Sequence, residues 1–567
     1  MLGLVALILA AASPAQANWS PAANLSPAQD TNKWSSVAMA PDGSTTVAWQ
    51  DEAAAAIMVS TRPAGTGGSF SAPVSISAPS PSPRGLGGSG GGPEVAIDST
   101  GRTTVVWTQF PPVQFDGGLT VWAATRPAGS NTFSAPVALS DSGFSQRLYF
   151  NSSSPEIATD PTGRTTVVWD FVGANQRLNV QASTRPANSD VFGAPVDVSQ
   201  IGAANWSDSR PHLAVGPDGR TTVVWESYDY VSGKTSLRAS TRPAGSDTFP
   251  APEKLSSTET DVKGQRVAVG PDGKTTAVWT GTFCGASTCA EVIEARTRPG
   301  GSNTFAPSVN LSPFLDGFNA RYPQIAVGPD GRTTVVWEEG IGAEIYSRTR
   351  PANSDTFGTE ENISTTTERS GFPQVAIGPD GRTTIAWTDW LSTTSGSGDS
   401  VLAAIRPKGA SSFQTPVFLQ QAGDSEATDV AAGPCNGFTT VTWQNESSYP
   451  FSSIQQSSNP TGNCLIPRVP RLSFRFLSPE LAKLLKNVLL KFQVTNTGDA
   501  TANEIYLRVT GGGIDAKRSA GSLGAGKTKT IEVPARFKKK GNVQITARVT
   551  AANADPATTK ATIRVVK

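Results

Sequence analysis

The stretch that decides the fold is GPDGRTTVVW, which stands at residues 216–225 and again at 328–337. Looser copies occur six more times, and all eight copies end in a tryptophan: Trp49, Trp107, Trp169, Trp225, Trp279, Trp337, Trp387 and Trp443. Successive tryptophans lie 50 to 62 residues apart. Because a repeat of this length built from short strands cannot bury its apolar side alone, the copies must pack on one another.

Each repeat divides into four short strands, as residues 323–364 illustrate. An apolar run leads to Pro329-Asp330-Gly331, a turn signature, which is followed by the β-branched run that ends at Trp337. Two further short strands flank a second turn that begins at Pro351. Four strands in about fifty residues are the makeup of one β-propeller blade.

The two ends of the repeat array complement each other. The segment from Trp19 to Ser26 has the fourth-strand pattern without three strands before it, and the eighth repeat has three strands without a fourth. We therefore predict an all-β chain with an eight-bladed β-propeller that is closed by the N-terminal strand. The eight tryptophans are interpreted as packing residues between neighbouring blades.

The chain has the features of an exported protein. Residues 2–12 form an apolar run of signal-peptide length, and Ala15-Gln16-Ala17 matches a small-x-small cleavage pattern, although no basic residue precedes the run. We predict a signal peptide over 1–17, no transmembrane segment, and a secreted or cell-surface location. Cysteines suit that compartment, and the four present are expected to form two disulfides, Cys284–Cys289 and Cys435–Cys464.

The turn between the third and fourth strands carries a resemblance to a known family. It reads STRPANSDVF at 183–192 and STRPAGSDTF at 240–249. This is similar to the Asp-box hairpin, S-x-D-x-G-x-T-W, of sialidase-like propellers, with Arg185 and Arg242 at the aspartate position. The resemblance implies a propeller over 18–465 and carries no catalytic residue, because the Arg-Ile-Pro motif and Tyr–Glu pair of sialidases are not recognisable here.

A second resemblance covers the C-terminal part. The segments FQVTNTGD at 492–499, LGAGKT at 523–528 and GNVQITARV at 541–549 each alternate as a strand bounded by turn residues. They resemble the CARDB type of bacterial immunoglobulin-like module, which implies a β-sandwich over 466–567 with an adhesive or spacer role. Ser478 followed by Pro479 predicts a single helical turn before the sandwich.

Charge is distributed unevenly along the chain, although the net charge is +1. From Arg468 to the C-terminus there are 19 basic and 6 acidic residues, and the remainder holds 28 basic and 40 acidic residues. The basic part, at +13 against −12, could pack on the acidic part or be solvated. It could also hold an anionic cell-wall polymer.

Length variation between the copies is concentrated in the second-to-third strand loops and the loops between blades, which share one face of a propeller. Since binding residues tend to lie on variable loops of a rigid scaffold, we expect a site there. Exposed aromatic rings could stack on sugars beside carboxylates, or could cap the blades. The candidate ligand-binding residues are Trp206, Arg210, Tyr228, Asp229, Tyr230, Arg321, Tyr322 and Trp390, with Phe110, Phe115, Asp116, Tyr149, Asp208 and Phe318 as further members.

A second candidate set is the position before each first strand. Because first strands line the channel of a propeller, these polar residues are expected to ring its mouth, either as hydrated groups or as a small-ligand or ion site. The ring consists of Ser36, Glu94, Glu156, His212, Arg266, Gln324, Gln374 and Asp429.

The sequence indicates catalytic residues less clearly than binding residues. Glycoside hydrolysis needs two carboxylates roughly 5–10 Å apart, and Asp170, Glu226 and Glu338, which directly follow their tryptophans, are the candidates. His212 is the only histidine, which excludes a multi-histidine metal site. We predict no metal, no cofactor and no nucleic-acid partner.

These patterns favour a secreted binding or adhesion protein that recognises a glycan or a protein on the variable-loop face, with the basic module as spacer or tether. A sialidase-like glycoside hydrolase working on the same face is the first alternative. A structural component of the cell surface is the second.

Overall fold

The chain divides into two compact units, Met1–Cys464 and Leu465–Lys567. The predicted signal peptide and the cysteines at 435 and 464 lie outside the described residues. All regular elements within the described ranges are β-strands. The computed structural model describes residues 19–27, 32–64, 69–77, 92–109, 119–140, 155–173, 177–187, 189–200, 205–257, 261–284, 289–314, 319–364, 368–393, 396–423, 425–433, 438–448, 451–459, 472–478, 481–496, 501–524, 527–551 and 554–567.

The described part of the first unit forms eight four-stranded antiparallel sheets, numbered here in chain order. Sheet 1 contains β2 (Asn32–Met39), β3 (Thr45–Asp51), β4 (Ala56–Arg62) and β5 (Val74–Ser75). Sheet 2 contains β6 (Glu94–Ile97), β7 (Thr103–Gln109), β8 (Thr120–Arg126) and β9 (Val137–Ala138). Sheet 3 contains β10 (Glu156–Thr159), β11 (Thr165–Val172), β12 (Leu178–Arg185) and β13 (Val196–Asp197). Sheet 4 contains β14 (Trp206–Val215), β15 (Thr221–Asp229), β16 (Lys234–Arg242) and β17 (Glu253–Lys254).

The remaining sheets repeat this order. Sheet 5 contains β18 (Asp261–Val269), β19 (Thr275–Cys284), β20 (Cys289–Arg298) and β21 (Val309–Asn310). Sheet 6 contains β22 (Ala320–Val327), β23 (Thr333–Glu339), β24 (Glu344–Arg350) and β25 (Glu361–Asn362). Sheet 7 contains β26 (Arg369–Ile377), β27 (Thr383–Thr393), β28 (Gly396–Arg406) and β29 (Val417–Gly423). Sheet 8 contains β30 (Ser425–Ala432), β31 (Thr439–Ser448), β32 (Phe451–Asn459) and, from the other end of the unit, β1 (Ala23–Asn24).

The eight sheets follow one another around a closed circle. The first strand of each sheet contacts the first strand of the next, and β30 of sheet 8 contacts β2 of sheet 1. Strand β1 pairs antiparallel with β32, Ala23 opposite Gln456 and Asn24 opposite Gln455, which is the pairing expected from the strands missing at the two ends. The first unit is therefore propeller-like, with the first strands innermost.

The repeated tryptophans pack one sheet on the next. All eight are at most 1% exposed. Trp107 of sheet 2, for example, lies in one apolar cluster with Ile57 and Val59 of sheet 1. The indole N–H of several of them is paired with a polar side chain, as in the 2.8 Å hydrogen bond from Trp387 to Asp389. The Thr-Thr-Val-Val-Trp run is buried on both faces because each sheet is covered on both sides.

The arginine at the Asp-box aspartate position connects neighbouring sheets. Arg242 of sheet 4 donates hydrogen bonds to Thr221 of its own sheet, at 3.0 Å, and to Thr166 and Thr184 of sheet 3, at 2.7 and 2.5 Å. Its guanidinium also stands 5.2 Å from the ring centroid of Phe249. We call this set the clasp arginines: Arg62, Arg126, Arg185, Arg242, Arg298, Arg350 and Arg406.

The clasp explains three features of the repeat together. The paired threonines supply acceptors on both sides of the sheet interface, and the phenylalanine that precedes the fourth strand lies beside the cation. The same device joins sheet 1 to sheet 8, where Arg62 donates to Thr440 and Ser458, both at 2.8 Å. The seam of the circle therefore has the same chemistry as the six interfaces from sheet 1 to sheet 7.

The second unit has two sheets that share one apolar core. One sheet contains β33 (Leu472–Ser478), β35 (Asn487–Asn496) and β38 (Thr528–Arg536). The other, called here the five-stranded sheet, has the order β34 (Leu481–Lys483), β40 (Ala554–Val566), β39 (Gly541–Ala551), β36 (Ala502–Gly511) and β37 (Ile514–Leu523).

The helical turn predicted after Ser478 is wrong. Among the described residues, the segments on either side of position 479 are strands, and β34 pairs in parallel with β40 through Leu481 opposite Arg564. The cap signal at Ser478 is overridden because Ala482 is buried in the core of the unit, where a strand can carry it.

Candidate functional site

Five first strands share a bulge that begins two residues before the ring position. The register of β2, β14, β18, β22 and β26 against the second strand of their sheet shifts there. The bulged residue takes a positive φ, a conformation in which non-glycine residues are uncommon. These residues and their φ angles are Trp34 (46°), Arg210 (53°), Gly264 (65°), Tyr322 (52°) and Phe372 (51°).

Such bulges re-aim a side chain and are over-represented beside functional sites. Here they bring together side chains of sheets 6 and 7. The rings of Tyr322 and Phe372 lie 5.4 Å apart, and the ring of Phe372 lies 5.5 Å from that of Trp390. Arg369 stands 5.6 Å from the Trp390 ring. We call the group the aromatic–arginine patch, which consists of Arg321, Tyr322, Glu338, Arg369, Phe372 and Trp390.

Gly371 allows side chains of the patch to approach the backbone closely. A Cβ at this position would lie 2.4 Å from Cη2 of Trp390 and 2.7 Å from Oε2 of Glu338, closer than real Cβ contacts come. The glycine therefore allows the indole and the carboxylate to lie against one backbone position. Tyr322, at 48% exposure, leaves the patch open to solvent.

Arg321 lies between two carboxylates of unlike character. Burial raises the pKa of Glu338, although Arg321 and Arg369 act against it. Burial would also raise the pKa of Glu291, but hydrogen bonds from Lys263 and Arg321 outweigh it and the pKa is lowered. The two carboxyls beside Arg321 thus have pKa values that are moved in opposite directions, that of Glu291 down and that of Glu338 up.

Sheets 3 to 5 extend this surface. Arg210 donates a 2.9 Å hydrogen bond to Oε2 of Glu226, whose other oxygen accepts a 3.2 Å bond from the backbone of Gly264. The backbone N–H of Arg210 donates to Asp170 at 3.2 Å. Burial raises the pKa of Glu226, against the effect of Arg210. Charged side chains therefore run from sheet 3 to the aromatic–arginine patch.

The other candidate ligand-binding residues lie apart from this patch. Trp206 is half-buried, with the guanidinium of Arg238 at 4.4 Å from its ring. Tyr228 and Tyr230 meet edge to face at 4.8 Å. Asp229 accepts a 2.9 Å bond from the backbone N–H of Val231 and so shapes its own turn.

The candidate ring residues contact one another in the channel. Ser36 donates to Glu94 at 3.1 Å, Nε2 of His212 lies 3.8 Å from Glu156, and Nε of Arg266 donates to Gln324 at 3.1 Å. Asp429 accepts a 2.8 Å bond from the backbone of Val37, and Gln374 is opposite Ala386. At the other end of the first strands, a cavity of about 370 Å³ is lined by turns that include Pro217 and Pro271.

The channel shifts the pKa values of its own groups. Burial raises the pKa of Glu156 to about 7, against the effect of Arg266, and raises that of Asp429 to about 6. Burial, with Glu156 and Asp429 nearby, raises the pKa of Glu94 well above its ordinary value. Burial, together with the nearby charge of Arg266, lowers the pKa of His212 well below its ordinary value.

Sequence reasoning missed Phe372, Arg369, Glu291 and Lys263. The signal that could have found Phe372 is a proline after the bulged residue, which recurs as Arg210-Pro211, Tyr322-Pro323 and Phe372-Pro373. Five other candidates lie outside the described residues, namely Phe110, Phe115, Asp116, Tyr149 and Phe318. Of the two disulfides expected, Cys284–Cys289 is present, joining β19 to β20.

Metal and membrane features are absent from the part of the chain that is described. No three His, Cys, Asp or Glu side chains are grouped there as a metal site would need. The same ranges contain no helix with the length and apolarity that crossing a bilayer requires.

Comparison with known proteins gives similarities of fold only. No protein-family model and no curated protein sequence matches the chain. The polysaccharide lyase Uly1 is 9% identical over 70% of this chain and 94% of its own, with a TM-score of 0.43. The NanB sialidase from Streptococcus pneumoniae is 9% identical over 77% of this chain and 97% of its own, with a TM-score of 0.36. The CARDB domain of the PF1109 protein from Pyrococcus furiosus is 20% identical over 17% of this chain and 90% of its own, with a TM-score of 0.16.

Proposed function

We propose that this chain is a secreted carbohydrate-binding protein whose first unit, an eight-bladed β-propeller closed by the N-terminal strand, binds a glycan at the aromatic–arginine patch. The second unit, an immunoglobulin-like sandwich of the CARDB type, then serves as spacer or tether. The observation that carries the proposal is the chain of rings from Tyr322 through Phe372 to Trp390, flanked by guanidinium groups and a carboxylate.

The chemistry of the patch suits a sugar chain. Partly exposed rings offer apolar faces on which the C–H side of a pyranose can stack, and the polar groups beside them can orient its hydroxyls. The bulges support the assignment, because two of the three rings owe their direction to a backbone conformation that is costly for Tyr322 and Phe372. The charged surface from Arg210 to Arg321 gives room for more than one sugar unit.

Replacement of Phe372 tests the proposal. A glycan array identifies the tightest oligosaccharide, and titration calorimetry then compares the wild type with Phe372→Ala. We expect the variant to bind at least tenfold more weakly, which corresponds to about 1.4 kcal/mol.

The matched control is Phe418→Ala, since Phe418 lies in the same sheet, on the edge strand β29, and is 46% exposed. It should bind as the wild type does. The absence of glycan binding, or an equal loss in both variants, would contradict the proposal.

Glycoside hydrolysis is the second candidate function, and one observation favours it. Glu291 and Glu338 both interact with Arg321, yet their pKa values are moved in opposite directions, as a base or nucleophile and a general acid require. Asp170 and Glu226, the other candidates from the sequence, are held by the backbone and side chain of Arg210.

A panel of fluorogenic glycosides tests this second function. Turnover that is abolished by Glu338→Gln, while glycan binding persists, would make the protein a hydrolase. If no glycoside in the panel is cleaved, this candidate is rejected and the binding proposal stands unaffected.

A further inference from the structure

The outer face of the five-stranded sheet carries cations directly opposite one another. On the strands β37, β36 and β39, Lys517 is the partner of Arg508, and Arg508 is the partner of Arg548. All three side chains are exposed, whereas the alternate residues on these strands, such as Leu507 and Ala547, are buried. Neighbouring strands lie about 4.8 Å apart, so the three cations form one short row.

This row is unfavourable for the unit by itself. Like charges directly opposite each other on neighbouring strands destabilise a sheet. One carboxylate is paired with the row: Asp515 accepts two 2.9 Å hydrogen bonds from Arg508. Lys517 lies 4.0 Å from the ring centroid of Tyr506, which is half-buried beneath it. Asp515 therefore offsets one of the row's three positive charges, and the row keeps a net positive charge.

Further cations stand on the next strand, β40, farther along the same face. Lys560 of β40 is the partner of Thr546, and Arg564 of the same strand is the partner of Asn542. Both cations are exposed. Between them stand hydroxyl and amide side chains, such as Thr562 opposite Gln544. The face thus alternates fixed cations with hydrogen-bonding groups across four strands.

We propose that this cationic sheet face binds a linear polyanion, the chemistry of a wall polymer that carries phosphate or carboxylate groups at regular intervals. Arginine binds both anions in bidentate fashion, and lysine adds a point charge. A polymer with repeated charges can engage several cations of the face at once, which offsets their mutual repulsion. The inference goes beyond glycan binding by the first unit and does not depend on it.

The face fits a polymer better than a bilayer or a nucleic acid. The exposed leucine of this sheet, Leu481, stands on the edge strand β34, with β40 and β39 between it and Arg508. Insertion into a bilayer would need apolar side chains beside the cations. Stacking of bases would need open rings, and the ring of Tyr506 is covered by Lys517.

Two triple variants of the full chain test the proposal. The face variant carries Lys517→Gln, Arg548→Gln and Lys560→Gln. The control variant carries Lys538→Gln, Lys539→Gln and Lys540→Gln, which removes the same charge from an exposed segment of the same unit. The probes are long-chain polyphosphate, polygalacturonate, neutral dextran, and vesicles of phosphatidylglycerol and phosphatidylcholine.

We expect the wild type to bind polyphosphate or polygalacturonate but not dextran, with an affinity that falls as salt is added. The face variant should bind at least tenfold more weakly, and the control variant within about threefold of the wild type. The melting temperature of the face variant should be unchanged or higher, which separates lost binding from lost folding. Which of the two polymers binds more tightly identifies the anion.

Three results would overturn the proposal. Equal weakening in both variants would mean that net charge, and not this face, is responsible. Binding to the anionic vesicles alone would identify a membrane surface as the partner. A wild type that binds neither anionic polymer would leave the face without this role, whatever the glycan array shows for the first unit.

Discussion

Glu156 stands among unlike neighbours in the channel. Nε2 of His212 lies 3.8 Å away, while Arg266 and Asp429 act on it through their charges. Burial raises its pKa to about 7. The folded protein therefore binds a proton at this carboxyl over a pH range in which the unfolded chain has already released it.

The sign of the resulting pH dependence follows from that difference. Stability contributed by a carboxyl with a raised pKa is present at low pH and is lost as the pH rises through the folded value, here about 7. His212 acts in the opposite direction, because its lowered pKa makes the folded state less stable as the pH falls below the ordinary histidine range. A single substitution separates the two contributions.

Glu156→Gln should become more stable relative to the wild type as the pH is raised from 5 to 8. The glutamine mimics the protonated carboxyl, so the variant avoids ionising a buried group and gains about 1–2 kcal/mol over that range. Urea unfolding midpoints at the two pH values measure the change.

Glu52→Gln is the control, because Glu52 is 37% exposed and pairs with Lys33 at the surface. It should show no comparable gain on the wild type between the two pH values. If the stability difference between Glu156→Gln and the wild type is the same at the two pH values, the channel does not hold this proton.

The strand β1 closes sheet 8 with few residues. Besides its two pairing positions, Leu25 donates a 2.8 Å backbone bond to Ile454 and is 8% exposed, and Ser20 donates a 2.7 Å bond to the backbone of Ser458. These contacts join positions more than 400 residues apart. Closure by so short an element is effective because β32 would otherwise expose an unpaired edge.

Removal of this strand should destabilise the whole first unit. A chain that lacks residues 1–26 loses the burial of Leu25, worth about 2 kcal/mol, together with its backbone hydrogen bonds. We expect its melting temperature to fall by several degrees. A chain that lacks only residues 1–18 keeps all the contacts described and should melt as the full chain does, and equal melting of the two shortened chains would contradict the closing role.

At the scale of the molecule, the clasp arginines form a network around the first unit. Each one spans two sheets, and Arg62 carries the network across the seam. Burial lowers the pKa of Arg242 to about 10, a sign of how far this cation is removed from water. Since the clasp arginines tie seven of the eight interfaces, and a 3.3 Å hydrogen bond between the hydroxyls of Thr384 and Thr439 joins sheets 7 and 8, the unit should unfold as one cooperative body.

Arg242→Ala should lower the stability of the entire unit by about 2–4 kcal/mol, because three threonine hydroxyls lose their donor and a cavity is left. Tryptophan fluorescence in urea reports the first unit alone, as all 13 tryptophans lie before residue 465. We expect a single unfolding transition for Arg242→Ala, shifted to a lower urea concentration.

Arg220→Ala provides the comparison within the same repeat. Its guanidinium contacts Ser302 and Asn303 in a turn at the surface of sheet 5, and its loss should cost less than about 1 kcal/mol. If the two variants prove equally stable, or if fluorescence shows several transitions, the clasp is not what couples the sheets.

The sequence by itself determined the strands, the tight turns and the packing role of the tryptophans, because these depend on local patterns that repeat. The β-branched run predicts a strand buried on both faces wherever it occurs, and Pro-Asp-Gly predicts the turn before it. The charge difference between the two parts of the chain could likewise be read from residue order alone. The helical turn after Ser478 failed because burial of Ala482 outweighed a local cap signal.

The tertiary structure alone decided which side chains meet. Tyr322 and Trp390, chosen as aromatic loop residues, become one patch only because a bulge turns Phe372 between them. The threonines that bind Arg242 come from two sheets, and their pairing with it depends on how the sheets stack. Side-chain direction at a bulge and the alignment of neighbouring sheets are long-range properties, set by packing around the whole circle, so no short stretch of sequence encodes them.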